Sequence, residues 1–298
     1  MEMLTLSHAA KHFGEKQVLL DVSFSVPEHT VFGFVGQNGA GKTTAMKMIL
    51  GLLTVSSGDI MVNGIPVRYG NTPTNRFIGY LPDVPEFYPY MTPTEYLRFC
   101  GEISGMKSNE IKSRSTELLR LVGLEQEHRR IKGFSRGMKQ RLGVAQALLN
   151  RPKLLICDEP TSALDPAGRR ELLDILTAAK AETTVLFSTH ILSDVEHICD
   201  EMAFLHEGKI ALKGTLDEIR KMRKDSAITI ETEHPKDAQA LLQTFPFLKM
   251  TDKSKLLLED TKQLPELLHC IADRHYPIVR IERQEAALED LFMEVIRK

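Results

Sequence analysis

A glycine-rich segment that ends in lysine and threonine carries the clearest chemical signal in the sequence. Residues 36–43 read GQNGAGKT, which matches the phosphate-binding loop pattern, and they lie between a predicted strand, Val31–Val35, and a predicted helix, Lys42–Leu52. In that context the backbone N–H groups of the loop and the positive end of the helix face a phosphate. Lys42 is expected to reach the β- and γ-phosphates of a nucleotide, and the Thr43 hydroxyl is expected to ligate Mg²⁺. The residues expected to bind the nucleotide in this segment are Gly36, Asn38, Gly39, Ala40, Gly41, Lys42, Thr43 and Thr44.

Two adjacent acids end a second apolar strand further along the chain. The predicted strand Leu154–Cys157 leads into Asp158 and Glu159, although a hydrophobic strand needs no acids at its tip and neighbouring carboxylates repel each other. Beside a phosphate loop, Asp158 would hold Mg²⁺ through water and Glu159 would act as general base on the attacking water. The alternatives are a solvated strand end before a turn at Pro160 and, for the loop, a glycine-rich turn that happens to precede a lysine. The two motifs together favour nucleotide hydrolysis.

Composition and charge narrow the class of protein further. The chain has 298 residues, enough for one large α/β domain and a small extra one, and its net charge of -2 gives no basic field for nucleic acid. No apolar run approaches the roughly 18–20 residues that span a bilayer, and the N-terminus lacks the apolar core of a signal peptide. The four cysteines have no metal-ligand spacing and are interpreted as small buried hydrophobic residues. We therefore expect a cytosolic protein that reaches a membrane only through a partner.

The elements that position these residues follow from hydrophobic periodicity. Alternation predicts antiparallel strands near the N-terminus, and apolar runs separated by helical patterns predict a mostly parallel sheet beyond them. The predicted strands are Met3–Leu6, Val18–Val26, Val31–Val35, Asp59–Val62, Ile65–Val67, Leu154–Cys157 and Thr184–Ser188. The predicted helices are Lys42–Leu52, Thr94–Ser104, Asn109–Val122, Gly137–Leu149 and Pro166–Ala179.

The pattern changes at a short charged stretch, Lys221–Asp225, which is predicted to be a linker to a small α+β domain. The strands predicted beyond it are Ala227–Glu231, Leu256–Glu259 and Ile278–Glu282. The helices predicted there are Pro235–Leu242, Pro265–Arg274 and Ala286–Ile296.

Four further segments, in order along the chain, make the sequence resemble an ABC ATPase. Phe13 resembles the aromatic residue that stacks on adenine, and residues 134–138, FSRGM, resemble the family's signature motif. Residues 162–165, SALD, resemble its D-loop, and His190 resembles its switch histidine. Together with the phosphate loop and the acidic strand end, these segments cover nearly all of residues 1–220. The catalytic residues implied by the resemblance are Lys42, Asp158, Glu159 and His190.

Each of these residues has a simpler interpretation when it is taken alone. Phe13 could be a core aromatic residue, Ser135 and Asp165 could be helix N-caps, and a histidine after a strand is more often structural than catalytic. The joint order and spacing of the segments overturn these interpretations. A serine at a helix N-terminus is also suited to a γ-phosphate, because free N–H groups face it. The resemblance implies that Ser135 and Gly137 contact ATP bound to a second copy, so that two chains enclose two ATP molecules head to tail.

Two segments depart from the family pattern. Asp83 follows the strand-like stretch Ile78–Pro82 at a position where the family usually has glutamine. Arg136 and Met138 replace glycine and glutamine in the signature. An aspartate can face Mg²⁺, but it cannot donate a hydrogen bond to the attacking water. The metal ligands expected from the motifs and the resemblance are Thr43, Asp158 and Asp83.

The resemblance also implies the fold, the domains and the cofactors. We expect an α/β fold in which residues 1–222 form a P-loop ABC ATPase core with a mostly parallel sheet, an antiparallel β subdomain and a helical subdomain at about residues 84–150. A small C-terminal α+β domain at residues 223–298 would be regulatory or dimer-supporting, or a packing appendage. The cofactors implied are ATP and Mg²⁺.

Three segments make the sequence similar to the ATPases of bacterial exporters for drugs, antibiotics or sodium, namely residues 80–92, 137–141 and 287–292. This similarity implies a separate transmembrane permease as partner, a homodimer that encloses ATP, and a cytoplasmic location on the inner face of the cell membrane. No nucleic-acid partner is expected.

Two other functions remain as alternatives. A non-transport ABC ATPase acting on a ribosome or a nucleic-acid complex is the main one. The chain has one ATPase core rather than two, and no long heptad run, which argues against that class. The other is a binding module that has lost catalysis, and the intact set Lys42, Asp158, Glu159 and His190 argues against it.

Overall fold

The computed structural model describes residues 1–70, 72–221, 227–283 and 288–296. The chain divides into two compact units, Met1–Leu216 and Asp217–Lys298. The predicted boundary after residue 222 and most of the predicted linker Lys221–Asp225 lie outside the described residues. The division into 1–222 and 223–298 therefore stays a prediction.

A mixed β-sheet forms the framework of the first unit. Its strands are β1 Glu2–Phe13, β2 Lys16–Pro27, β3 Val31–Gly36, β4 Ser57–Val62, β5 Ile65–Pro66, β6 Ile78–Leu81, β7 Leu154–Asp158, β8 Thr184–Thr189, β9 Glu201–His206 and β10 Lys209–Thr215. They are ordered β5-β4-β1-β2-β10-β9-β3-β8-β7-β6. The pairs among β3, β6, β7, β8 and β9 are parallel, whereas β1, β2, β4 and β5 pair antiparallel. A parallel core with an antiparallel extension confirms the predicted fold class.

Helices cover this sheet because their apolar stripes pack on it and on each other. They are α1 Lys42–Ile49, α2 Pro93–Ile103, α3 Ser108–Leu121, α4 Arg136–Leu148, α5 Pro166–Ala179 and α6 Leu192–Ile198. The next helix, α7 Leu216–Lys221, lies almost entirely within the second unit. Two of these helices have clear start signals. Thr92 and Glu95 form a reciprocal capping box at the start of α2, and Asp165 caps α5 with Pro166 at its first position. The predicted helix Pro166–Ala179 is confirmed with the same bounds.

Several predicted bounds were wrong, each for a local physical reason. Helix α1 ends at Ile49 rather than Leu52, because Gly51 takes a φ of 70° and the Leu52 N–H donates to the Lys47 carbonyl at 2.8 Å. Strands β1 and β2 are both longer than predicted. Their pairing contains several register shifts, and these β-bulges break the strict alternation that the sequence pattern relies on.

The second unit is a four-stranded antiparallel sheet with helices. Its strands, in the order β12-β13-β11-β14, are β11 Ile228–Thr232, β12 Leu248–Asp252, β13 Lys255–Leu258 and β14 Ile278–Arg283. Its further helices are α8 Pro235–Thr244, α9 Leu264–Asp273 and α10 Leu288–Ile296. Side chains from β11, β13, α8 and α9 share one buried cluster that includes Ile230, Leu241, Leu256 and Leu267. The predicted α+β character is confirmed, β12 was not predicted, and residues 286–287 of the predicted last helix lie outside the described residues.

Three strands in the centre of the first unit are buried along their whole length. Every residue of β3, β7 and β8 is buried, and the large side chains Phe32, Phe34 and Phe187 are almost fully enclosed. Such continuous burial is typical of parallel strands that are covered on both faces. None of the helices in the described part of the chain is both long and apolar enough to cross a membrane.

The close approach of β6 to α4 yields a stability prediction. A methyl group added at the buried Gly79 would lie 2.1 Å from the carbonyl oxygen of Ala147, so the backbone itself must move. We expect Gly79→Ala to lower the free energy of unfolding by about 1–3 kcal/mol, as overpacking of a dense interior does. Chemical or thermal unfolding followed by circular dichroism measures this loss.

Gly133→Ala is the matched control for this substitution. A methyl group at Gly133 would meet no heavy atom within 4 Å, so its unfolding midpoint should stay close to that of the unmodified protein. Equal midpoints for both variants would show that β6 and α4 are not packed as described.

Candidate functional site

The site forms where three parallel strands end at one edge of the sheet. Strand β8 pairs with β3 on one side and with β7 on the other, and the register places Phe34, Ser188 and Asp158 in one row. The segments that follow these strands therefore leave the sheet at the same edge. This arrangement brings the phosphate loop, Glu159 and His190 together, as parallel strand ends commonly do at ligand sites.

The loop between β3 and α1 is shaped by its glycines and held by its lysine. Gly41 has a φ of 109°, a conformation that L side chains rarely adopt. The Lys42 side chain is only 5% exposed, and its ammonium donates to the carbonyl oxygens of Gly36 at 2.6 Å and Gln37 at 3.2 Å. Lys42 thus closes the loop on itself, and the N–H groups at the start of α1 form a cradle of positive potential.

A continuous chain of contacts joins Lys42, Glu159 and His190. The Lys42 Nζ atom lies 3.1 Å from Glu159 Oε1, and His190 Nδ1 lies 2.9 Å from Glu159 Oε2. The Glu159 side chain is only 14% exposed, and each of its two oxygens has one of these partners. The structure therefore brings three of the four predicted catalytic side chains into direct contact.

The backbone at Glu159 is strained. Its φ is 48°, in the left-handed region that non-glycine residues seldom occupy. Two hydrogen bonds hold the residue there, from its N–H to the Ser188 hydroxyl at 3.0 Å and from the Ser162 N–H to its carbonyl at 3.2 Å. Backbone strain that is held in place by surrounding hydrogen bonds is typical of functional positions. In this conformation the Glu159 carboxylate contacts Lys42.

The fourth predicted catalytic residue, Asp158, is fixed from the neighbouring strand. The Ser188 hydroxyl donates to Asp158 Oδ1 at 2.6 Å, and the aspartate is 4% exposed. Ser188 was not predicted as a site residue, although its place just before His190 in a buried strand was a usable signal. Burial, followed by the charge of Asp158, raises the pKa of Tyr80 to about 12, and burial raises the pKa of the Cys157 thiol. Both neighbours therefore stay uncharged at neutral pH.

A cleft of about 880 Å³ opens beside the phosphate loop. It is lined by Phe13, Lys16, Gln17, Val18, Leu20, Asn38, Gly39, Ala40, Gly41, Lys42, Thr43, Thr44, Glu159, Glu207 and Gly208. Phe13 is 47% exposed, and the Lys11 ammonium lies 5.0 Å from the centre of its ring. The cleft thus combines an exposed aromatic ring at one place with a cationic loop at another, which suits a base and its phosphates.

The signature-like residues lie elsewhere among the described residues. Ser135 and Gly137 do not line this cleft, and the Ser135 hydroxyl accepts from the Met138 N–H at 3.2 Å as the N-cap of α4. The interpretation of Ser135 as a helix N-cap is therefore confirmed. A methyl group added at Gly137 would have Leu164 Cδ2, at 3.8 Å, as its nearest neighbour, so the approach to the helix start is open.

The two departures from the family pattern contact each other. Asp83 Oδ1 accepts from the Ser162 hydroxyl at 2.7 Å and lies 3.7 Å from Arg136 Nη2. The Asp83 carbonyl oxygen accepts from Gln140 Nε2 at 2.5 Å. Asp83 is not among the described residues that line the cleft, and its role as a metal ligand stays a prediction. Sequence reasoning missed this contact because it joins residues from three separate segments.

The oxygen donors near the loop fit a hard divalent cation. A threonine hydroxyl at the start of α1 and the carboxylate of Asp158 are ligands that Mg²⁺ prefers, since it takes oxygen from protein and phosphate groups together. The loop itself fits a polyphosphate, because the Gly36 and Gln37 carbonyl oxygens accept from Lys42, and the N–H groups at the start of α1 are suited to an anion.

Comparison with known proteins agrees with this geometry. The sequence matches the family model described as ABC transporter over residues 19–162, and the model described as ATP-binding protein DrrA1-3-like, C-terminal domain, over residues 214–296. A solved structure described as the ATP binding subunit of an ABC transporter has a TM-score of 0.65 and 36% identity, covering 74% of this chain and 92% of that one. CbiO1 of Clostridium perfringens, described as part of an ABC transporter complex, has a TM-score of 0.67 and 26% identity, covering 74% and 94%.

Three bacterial relatives resemble the chain, and two of them match nearly its whole length. An uncharacterized ABC transporter ATP-binding protein of Bacillus subtilis strain 168, YxlF, is 38% identical over 99% of this chain and 99% of its own length. The bacitracin transport ATP-binding protein BcrA of Bacillus licheniformis is 33% identical over 96% and 94%. The lantibiotic transport ATP-binding protein SrtF of Streptococcus pyogenes is 39% identical over 72% and 92%. The chain therefore belongs to the ATP-binding subunits of ABC transporters, a family whose members hydrolyse ATP.

Proposed function

We propose that the chain hydrolyses ATP at the cleft beside its phosphate loop and that this reaction drives export through a separate membrane-spanning partner. The observation that carries the proposal is the direct contact of Glu159 with both Lys42 and His190. A base, a phosphate-binding cation and an orienting histidine then lie together where the parallel strands end. The relatives named for bacitracin and lantibiotic transport support a transport role rather than the ribosomal or nucleic-acid alternative.

Each side chain has a defined part in the proposed hydrolysis. The Phe13 ring stacks on the base, and the loop N–H groups and Lys42 bind the β- and γ-phosphates. Glu159 accepts a proton from the water that attacks the γ-phosphate, while His190 holds the carboxylate in position through its 2.9 Å contact. Thr43 and Asp158, with Asp83 as the further predicted ligand, would hold Mg²⁺, which neutralises phosphate charge when bound.

The position of the signature-like residues supports a homodimer. Ser135 and Gly137 lie at an open helix start outside the cleft that holds Lys42. We infer that this helix start faces the γ-phosphate of ATP on a second copy, in an isologous pair with two shared sites. ATP binding then closes the dimer and hydrolysis opens it. The permease partner would convert this motion into transport, with the chain on the cytoplasmic face of the membrane.

Replacing Glu159 by glutamine tests the assignment of the base. The glutamine side chain has nearly the same shape but cannot take up a proton from water, so turnover should fall by ~10²–10⁴-fold while ATP still binds. Steady-state phosphate release and nucleotide affinity are the two measurements. Glu207→Gln is the matched control, because it removes an equal charge from the same cleft and leaves the contacts of Glu159 intact. Turnover by Glu159→Gln near the normal rate would refute the assignment.

Mixing two inactive variants tests whether the sites are shared between chains. Lys42→Ala removes the cation that faces the phosphates, and Ser135→Arg blocks the approach of the partner's γ-phosphate. In a mixed dimer one site carries both defects and the other carries neither, so mixing the two inactive proteins should restore hydrolysis. Cross-linking is used to show that mixed dimers have formed.

A control separates shared sites from coupled turnover. Each variant is paired with the unmodified chain, and about half of the normal activity per dimer indicates independent sites. Near-zero activity in those pairings indicates obligate coupling, in which case no rescue is expected. Independent sites combined with a failure to rescue would contradict the shared-site proposal.

The contact between Asp83 and Arg136 yields a further prediction. Each residue is about half exposed, so the pair adds little to stability and its effect should appear in activity. Asp83→Gln and Arg136→Gly each restore the residue usual in the family, and each alone leaves a partner without its contact. We expect the double variant to hydrolyse ATP faster than either single variant. If Asp83 acts only as a metal ligand, Arg136→Gly should be silent and the double variant should match Asp83→Gln, including its Mg²⁺ dependence.

A further inference from the structure

A buried carboxylate lies behind the catalytic edge and is not used by the hydrolysis described above. Asp194 on α6 is only 1% exposed. Its Oδ2 atom accepts from the Thr161 hydroxyl at 2.6 Å, and its Oδ1 atom accepts from the Arg169 guanidinium. Each oxygen of one carboxylate is therefore held by a different segment of the chain.

The segments of Thr161 and Asp194 are the ones that carry Glu159 and His190. Thr161 lies two residues after Glu159, in the turn that follows β7. Asp194 lies four residues after His190, in the first turn of α6, where its N–H donates to the Ile191 carbonyl at 3.2 Å. The Asp194 carboxylate thus joins the turn after the base to the turn after the histidine.

Arg169, on a third element, also binds this junction between the Thr161 turn and α6. It lies on α5, which begins directly after the turn that contains Thr161, and its second nitrogen donates to the Ser193 hydroxyl at 2.9 Å. Arg169 thus donates hydrogen bonds to two neighbouring residues of α6, Ser193 and Asp194. A forked guanidinium fixes direction as well as distance, which a single ammonium would not do.

An apolar contact would hold these elements together without the cost of burying charge. Burial of an ion pair is expensive because both groups lose water, and replacement by packed hydrophobic residues is often neutral or favourable. What a hydrogen-bonded carboxylate adds is a fixed orientation for each partner. At this place the orientation matters because His190 Nδ1 and Glu159 Oε2 must meet at 2.9 Å across two separate turns.

We propose that Asp194 is a positioning residue for ATP hydrolysis, which sets the contact between His190 and Glu159 through Thr161 and Arg169. Asp194 touches neither the cleft lining nor the phosphate loop in the described contacts, so it acts only through these two residues. The inference rests on the proposed roles of Glu159 and His190. It predicts that loosening the junction slows turnover and leaves nucleotide binding unchanged.

The test compares two aspartates that join the same pair of helices. Asp194→Asn keeps the side-chain shape but turns one accepting oxygen into an N–H₂ group that faces a donor. We expect kcat to fall roughly 10- to 100-fold, as a displacement of about 1 Å in catalytic geometry does, with the Kd for a non-hydrolysable ATP analogue changed less than twofold. Asp174→Asn is the matched control, because Asp174 Oδ1 on α5 lies 3.8 Å from His197 Nε2 on α6 and its side chain is 67% exposed. Its kcat should be unchanged.

A second variant guards against loss of folding. Thr161→Val replaces the hydroxyl with a methyl group of similar size and leaves the pair of Asp194 with Arg169 in place. Circular dichroism should therefore show a folded protein, and steady-state kinetics should show a reduced kcat. Asp194→Glu keeps the charge and should recover part of the activity lost in Asp194→Asn. Normal kcat in both Asp194→Asn and Thr161→Val overturns the proposal. A fall in kcat with an equal weakening of analogue binding overturns it as well, since that indicates a general structural role.

A combined variant separates this proposal from the assignment of the base. In a Glu159→Gln background, Asp194→Asn should cause no further loss, because its effect passes through the general base that the first change disables. Full additivity of the two losses would overturn the proposal. If Glu159→Gln itself keeps normal turnover, the assignment of the base has failed. If Glu159→Gln is inactive and Asp194→Asn is normal, only the role of Asp194 has failed.

Discussion

The parallel register of β3, β8 and β7 is the constraint on which the site depends. All three strands are buried along their whole length, so polar groups can appear only where the strands end. Because the strands run the same way and pair without a shift, those ends meet at one edge. Lys42, Glu159 and His190 come from distant parts of the sequence, and this register is what brings them within hydrogen-bonding distance. The chemistry of the cleft is therefore a consequence of how three hydrophobic strands pack.

Charge balance explains why the site is stable as well as reactive. A lysine that is 5% exposed and a glutamate that is 14% exposed would each be costly to bury alone. Paired at 3.1 Å, with two carbonyl oxygens around the ammonium and a histidine beside the carboxylate, each group has polar partners that offset the cost of its burial. The left-handed backbone at Glu159 is a local cost that the hydrogen bonds to Ser188 and Ser162 offset. Strain and ion pairing thus occur at the same residue, because this backbone conformation accompanies the contacts of the Glu159 carboxylate with Lys42 and His190.

Local patterns made the main parts of the fold and of the site predictable. The α/β fold, the phosphate loop between strand and helix, and the family were predicted from the sequence, because apolar runs and adjacent motifs depend only on neighbours along the chain. Strands β9, β10 and β12 and helices α6 and α7 were not predicted. In β10 the burial pattern alternates between partly exposed and exposed residues, which gives a weak signal. The lengths of β1 and β2 were missed because bulges interrupt their alternation.

Contacts between distant polar side chains could not be predicted by the same means. The hydrogen bond from Ser162 to Asp83 and the one from Thr161 to Asp194 join residues 79 and 33 positions apart, and nothing in the local sequence marks these partners. Such pairs depend on how the loops settle once the sheet is formed. For this reason the sequence identified Asp83 and Arg136 as unusual but did not indicate that they are neighbours.

These long-range contacts extend from one residue, Glu159, in two directions. On one side the turn at Thr161 leads through Asp194 to the segment of His190, which serves the same cleft. On the other side Ser162, whose N–H donates to the Glu159 carbonyl, leads through Asp83 to Arg136 at the start of α4. In the proposed dimer that helix start would serve the ATP of the partner. A shift of the turn after Glu159 would then affect both ATP sites of the dimer. The same few residues hold the base in the chain's own site and border the helix start that contacts the phosphate in the partner's site.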